Sequence, residues 1–198
     1  MLRLEHSTAA YRADLALYGV LSLGLAALLA LGSPPDSRLA LAAWATAGGT
    51  LWTLVEYLLH RFVLHGLAPF SRWHADHHHR PKALIVSPTL LSVGLFALLA
   101  VAPAWFLWGP WPACALSFGL ITGYGIYGLT HHATHHRVPA WAQRSAWLSR
   151  RRRWHARHHA AGRSGTPAGH FGVSLDFWDH VFGTQGTAAV SSRPRGPA

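Results

Sequence analysis

The chain has 198 residues, 51% of them hydrophobic and only 12% charged, and a formal charge of +10 at pH 7. Soluble domains carry roughly 25% charged residues, so this composition argues against an ordinary soluble enzyme. The basic residues are scattered around apolar segments instead of forming a nucleic-acid face, so no nucleic acid is expected as a partner. The single Cys114 excludes an internal disulfide and a cysteine-based zinc cage.

Four apolar stretches follow one another along the chain: Leu15–Leu31, Leu39–Leu59, Leu84–Trp108 and Trp111–Leu129. About 20 helical residues cross about 30 Å of hydrocarbon, so each stretch reads as a spanning helix, the first only just. That first stretch does not read as a signal peptide, because Glu5 and Asp14 flank it and no small-residue cleavage site follows. With a cytoplasmic N-terminus, the connections 32–38 and 109–112 lie outside. Of the 17 basic residues only Arg38 then falls outside, as the positive-inside rule requires. Trp105, Trp108 and Trp111 cluster at the outer turn, and the run "SRRRRWHARHH" at 149–159 reads as a contact with anionic lipid. The expected fold is all-α and membrane-integral: four transmembrane helices with a cytoplasmic histidine-rich helical cap. Residues 1–184 form one unit, and the Gly-, Ser- and Pro-rich 185–198 form a flexible tail.

The sixteen histidines carry the chemistry. "RWHADHH" at 72–78 returns as "RWHARHH" at 153–159, and all but one histidine lie from His60 onward, on the inner side. Positions i, i+3 and i+4 of a helix share a face. His74, His77 and His78 therefore present three imidazoles on one arc, as do His155, His158 and His159. His131/His135 is an i, i+4 pair, and by spacing His132/His136 is an equally good one. His60 and His65 are about 140° apart on an ideal helix, so either they serve different metals or the span unwinds between them. About ten ligands exceed what one ion takes and suit two. His79, His132 and His136 are surplus, and His170 and His180 stand alone. Imidazole suits zinc, copper, iron and nickel. Ligating rings also need acceptors for their second N–H, and the carboxylates offered are Glu56, one turn before His60, with Asp76, Asp176 and Asp179; backbone carbonyls must supply the rest. Asp176 and Asp179 fit a helix-start role in "SLDFWDHVF" equally well. Arg72 and Arg153 suit a lipid surface or, less well, a substrate headgroup, and His170 is a further candidate near that headgroup.

Five segments resemble the fatty acid hydroxylase superfamily, and within it the catalytic domain of the fatty acid (ceramide) 2-hydroxylases. They are "WTLVEYLLHRFVLH" (52–65), "HADHH" (74–78), "YGLTHHATHH" (127–136), "RWHARHH" and "FGVSLDFWDHVFGT" (171–184). The resemblance covers roughly residues 50–184 and implies a membrane di-iron monooxygenase. Carried over residue by residue, it makes His60, His65, His74, His77, His78, His131, His135, His155, His158 and His159 the metal ligands. The family's third motif starts four residues after a tyrosine, as His131 follows Tyr127, and this favours His131/His135 and sets Tyr127 behind a ligand. The implied reaction is O2-dependent hydroxylation of a membrane lipid, at carbon 2 of a fatty acyl chain, by two iron ions that zinc can replace in purified protein. Carotenoid or sterol hydroxylation or desaturation is the near alternative, and a metal transporter or sensor the remote one. Eukaryotic 2-hydroxylases carry a cytochrome b5 domain before the first span. Only a short segment stands there in this chain, so electrons are expected from a separate cytochrome b5-like or ferredoxin-like partner. The expected location is a bacterial inner membrane, with both termini and the metal site cytoplasmic.

Overall fold

The computed structural model describes residues 5–164 and 168–186. The expected tail lies, beyond Gly186, outside the described residues. Helix α1 (Thr8–Gly32) starts at Ser7, whose hydroxyl accepts from the Ala10 N–H at 3.2 Å, and stops before Ser33, Pro34 and Pro35. A short turn, Pro35–Ser37, leads into α2 (Arg38–Leu58), which runs on into a π-helical turn, Leu59–Leu64. Helix α3 (Phe70–His79) follows. The next residues return to the start of the chain, where His6 N–H donates to Leu84 O at 2.9 Å and Glu5 bridges Ile85. Helices α4 (Thr89–Phe96) and α5 (Ala102–Trp108) join through a second π turn, Ala97–Val101. Pro103 lies just beyond that turn and has no N–H to give the ladder, a usual setting for a widened turn. Gly109, at φ 83, reverses the chain, and Pro110 opens α6 (Pro110–His135). The chain closes with α7 (Ala140–Gln143), α8 (Ala146–Ser164) and α9 (Phe177–Val181).

Three helical stretches among the described residues are long and apolar enough to cross a membrane: Thr8–Gly32, Thr89–Trp108 and Pro110–His135. The second apolar stretch of the sequence is not among them. Helix α2 has the length, 21 residues, but Thr46, Thr50, Thr53 and Glu56 dilute its leucines. The boundaries of the others also move. The first begins at Thr8, because Ser7 caps it, and the third at Thr89, because the preceding residues pair with the N-terminal segment.

Helices α2 and α6 cross through glycines. A Cβ on Gly48 would lie 2.2 Å from Leu116 O, and one on Gly119 2.0 Å from Ala45 O. Small residues that let backbones approach are how helices associate where lipid removes the hydrophobic drive. Trp52, Ala104, Ala113, Leu116 and Leu120 form the adjoining core, with Trp52 edge-on to Tyr124 at 5.1 Å. Outward, α1 and the α4–α5 rod expose Val20, Leu23, Leu31, Leu98 and Phe106. Most buried polar side chains gather instead at one end of the bundle, where α2, α3, α6, α8 and α9 meet: Glu56, His60, His74, His77, Arg151, His155, His158, His159 and Asp179.

Candidate metal centre

Each expected histidine is delivered by the helix geometry of its own segment. His60 sits in the π turn, whose wider i→i+5 pitch brings residues five apart toward the same face. His60 and His65 accordingly lie with ring centroids 5.3 Å apart and join one group, which decides between the two readings of that spacing. The span widens, and the two rings turn toward the same group.

Two sets of imidazoles could each hold a metal ion, with all donor atoms of a set within 4.8 Å of one another: His60, His65, His74, His78 and His158, and then His77, His135, His155 and His159. His131 adjoins the second set, its Nε2 at 3.1 Å from His77 Nε2 and its ring stacked on Tyr127 at 5.9 Å. His78 and His159 stack at 4.2 Å and link the sets. The rival pair is turned elsewhere: His132 and His136 stack on each other at 4.4 Å, and His132 Nδ1 lies 3.2 Å from the Tyr11 hydroxyl.

The donor set fits a cation. His60 Nδ1–H donates to Phe171 O at 2.6 Å and His158 Nδ1–H to Gly169 O at 2.7 Å, so the Nε2 atoms of both rings carry lone pairs. Four Nε2–Nε2 contacts of 3.0–3.1 Å run through this set: His60–His74, His74–His78, His78–His158 and His158–His65. With two of the five nitrogens unprotonated, at most three N–H groups serve four contacts, so at least one contact is no hydrogen bond and sets two lone pairs or two N–H groups against each other. A cation at the centre accommodates all of them. Burial first, and neighbouring imidazoles after it, hold His60, His74 and His155 well below the ordinary histidine range. The same causes bring His77 and His158 down to about 3 and His159 to about 2. Neutral rings are what metal binding requires.

The carbonyls behind His60 and His158 belong to a strap, residues 169–174. His170 N–H donates to Thr184 O at 2.8 Å. The next two N–H groups, of Phe171 and Gly172, donate to the Asp179 carboxylate at 2.8 and 2.7 Å. Those of Val173 and Ser174 donate to Glu56 at 2.7 and 2.8 Å, and the Ser174 hydroxyl also donates to Glu56. Two buried carboxylates thus shape the strap, and the strap's carbonyls orient the rings.

Two cavities reach the site. One of about 100 Å³ is lined by His74, His77 and His131 together with Tyr11, Asp14 and Tyr18. Another of about 340 Å³, walled by Leu51, Val55, Leu95, Leu99 and Leu120, meets it at Leu64, Phe70, Ser87, Tyr124 and Tyr127. A shallower groove of about 420 Å³ beside Gly119, Gly123 and Trp147 contains no histidine.

A family model described as fatty acid hydroxylase matches residues 45–184. The chain belongs to that family. It is 34% identical over 153 residues to a ceramide very long chain fatty acid hydroxylase of Schizosaccharomyces pombe, covering 68% of this chain and 40% of the relative. It is 32% identical over 151 residues to a dihydroceramide fatty acyl 2-hydroxylase of Arabidopsis thaliana (69% and 58%). To the fatty acid 2-hydroxylase of Homo sapiens it is 28% identical over 158 residues (69% and 38%). The chain therefore spans less than two thirds of each of these relatives. A solved structure of full-length scs7p, with only its hydroxylase domain visible, superposes with a TM-score of 0.71 at 24% identity over 91% of this chain and 67% of that one, which shows a shared fold.

In this member of the family the expected carboxylates stand one step further from the rings than the sequence reading placed them. Glu56 and Asp179 bind backbone N–H groups, because a strap of consecutive amides needs acceptors for its buried donors. Asp176 pairs with Arg150 at 2.6 Å and Arg151 at 2.9 Å, and Asp76 pairs with Arg80 on the exposed side of α3. Arg72 and Arg153 are exposed and not brought to the rings. His170 is buried at φ 57, packed on Trp154 at 4.5 Å, so it is part of the strap and not a surface headgroup contact. His79 and His180 are exposed.

One correction concerns the arginine run. Arg151 is only 2% exposed and lies between Asp176 and Trp154, so it is not a lipid contact. Helical periodicity turns one member of such a run inward, and His155, four residues on, marked that face in the sequence. The strap itself had no signal beyond its place in the "FGVSLDFWDHVFGT" motif.

Proposed function

We propose that this protein is an O2-dependent di-iron hydroxylase that inserts one oxygen atom into the acyl chain of a membrane lipid, at carbon 2. The observation that carries the reading is the gathering of ten imidazoles next to a small cavity, lined by His74, His77 and His131, that meets a larger apolar cavity among the helices. His60, His65, His74, His78 and His158 would hold one iron, and His77, His131, His135, His155 and His159 the other. Iron bound there supplies the oxygen-activating redox chemistry that an unactivated C–H bond demands. Relatives named for ceramide and fatty acyl 2-hydroxylation support the acyl substrate and the carbon position.

The chain's own residues do the rest. Leu51, Val55, Leu95 and Leu99 hold an extended acyl chain and exclude water from it. Tyr127 packs flat under His131 and, with Phe70 and Leu64, forms the passage between the tail cavity and the rings. The burial that keeps the imidazoles neutral leaves their lone pairs free at neutral pH. In this reading α2 is a fourth span, with one face covered by its crossing with α6 and Leu39, Leu51 and Leu58 left outward. Residues 1–184 act as one unit in a bacterial inner membrane with the metal cap in the cytoplasm. Two electrons per turnover come from a separate cytochrome b5-like or ferredoxin-like donor.

Lipid mass spectrometry on a bacterial host producing the protein tests this reading, with a His155→Ala/His158→Ala variant as control. A lipid one oxygen heavier, found only with the intact protein and fragmenting to place oxygen at carbon 2, is expected. A product two hydrogens lighter would replace hydroxylation by desaturation. No new product, with no iron bound, would sink the oxygenase reading.

A further inference from the structure

The two sets of imidazoles are alike in chemistry and unlike in support. In the set of His60, His65, His74, His78 and His158, two rings are fixed from behind by the strap, through Phe171 O and Gly169 O. In the other set, the Nδ1 atoms of His77, His155 and His159 are buried and meet no hydrogen-bond acceptor among the described residues.

An imidazole that offers Nε2 to a cation keeps its proton on Nδ1, and the partner of that N–H fixes the ring's orientation and raises its basicity. Removing such a partner typically costs about 10–100-fold in metal affinity. A buried N–H without an acceptor adds the desolvation of that group. Both effects act against the second set and neither against His60 and His158.

The support is itself rigid. The five consecutive N–H groups from His170 to Ser174 all have acceptors: Thr184 O, the Asp179 carboxylate twice and Glu56 twice. Asp179 is in turn held by Trp154 Nε1–H at 3.3 Å and the Thr184 hydroxyl at 2.7 Å. Glu56 is on α2, one turn before His60, and Trp154 is on α8, one turn before His158. The strap therefore ties together the two helices that carry the two anchored rings.

We propose that the two metal positions are unequal. The ion at His60, His65, His74, His78 and His158 is the retained one, the ion at His77, His135, His155 and His159 is the exchangeable one, and Asp179 and Glu56 set the difference as positioning residues acting through the strap. This rests on the dinuclear reading above.

The test uses the full chain in detergent, loaded with zinc(II) and then dialysed against a chelator, with zinc per chain followed by elemental mass spectrometry. Two zinc ions per chain are expected at the start, one leaving about tenfold faster than the other or more. His155→Ala removes the fast phase and His60→Ala the slow one. Asp179→Asn, which turns an NH2 group toward N–H donors, speeds the slow phase about tenfold and leaves the fast phase alone. Thr184→Val is the milder variant, taking one hydrogen bond from Asp179, and shifts the slow phase in the same direction with native helix content. Loss of both ions at one rate overturns the proposal. So does a slow phase indifferent to both strap variants. Saturation at one zinc or none, seen before any chelator is added, overturns the dinuclear reading itself.

Discussion

The outer part of the bundle and its histidine-bearing end are built on opposite rules. At the α2–α6 crossing the contacts are backbone on backbone, with Gly48 and Gly119 leaving no room for a methyl group, and the exterior is apolar. At the cap the interior is polar, and Glu56, Arg151 and Asp179 are almost wholly enclosed. The first region depends on shape, because lipid offers no hydrophobic drive for helices to associate. The second depends on satisfied donors and acceptors, because each buried polar group left alone costs about 1–3 kcal/mol. Helix α2 passes through both, which is why it is too polar to stand out as a span and still central to the fold.

The comparison is broken most severely at the crossing. Gly119→Leu forces side-chain atoms into the Ala45 carbonyl and is expected to abolish folded protein, a loss above about 4 kcal/mol, visible as failure to purify in detergent. Glu56→Ala, at the cap, strands three donors on Val173 and Ser174 and is expected to cost about 3 kcal/mol or more, read as a lowered unfolding midpoint. Glu56→Gln, which keeps one acceptor, should lose less.

Acid separates the regions next. Unfolded imidazoles protonate near 6.5, whereas folded His77 and His158 stay neutral down to about 3. Below pH 6.5 the unfolded metal-free chain therefore binds protons that the folded chain does not, and stability is lost as pH falls. Each such ring contributes a loss of about 2 kcal/mol between pH 6.5 and pH 5, levelling off near pH 3. A metal-free chain whose unfolding midpoint is flat from pH 7 to pH 5 would contradict the packing of the cap.

The finest cut lies within one arginine run. Arg151→Leu leaves Asp176 with Arg150 on the exposed side and is expected to cost about 1–3 kcal/mol. Arg153→Ala, two residues away and exposed, is expected to change the unfolding midpoint by less than the equivalent of about 0.5 kcal/mol.

The histidine spacing was sufficient to name the two triads that gather in the structure, His74/His77/His78 and His155/His158/His159, because i, i+3 and i+4 on a helix fix a shared face whatever surrounds it. It could not separate His131/His135 from His132/His136 without the resemblance, since both pairs obey the same rule and only the turn of α6 that sets His131 on Tyr127 and against His77 distinguishes them. Nor could it decide His60 and His65, because the π turn between them is a property of the folded ladder. Composition identified three apolar helices; in α2, Thr46, Thr50, Thr53 and Glu56 dilute the leucines, and of these Thr53 and Glu56 turn to Trp178 and to the strap.

What the sequence determined by itself was local: which helices are apolar, which faces carry imidazole, and which side of the bundle they occupy. What only the tertiary structure decided was pairing at a distance. Glu56 meets Val173 and Ser174 across more than a hundred residues, His60 meets Phe171, and Arg151 turns inward to Asp176. A carboxylate or an N–H in a sequence shows that a partner is needed, and only the packed chain decides which one it meets, because a buried polar group left alone is costly and its partner comes from wherever the fold brings one.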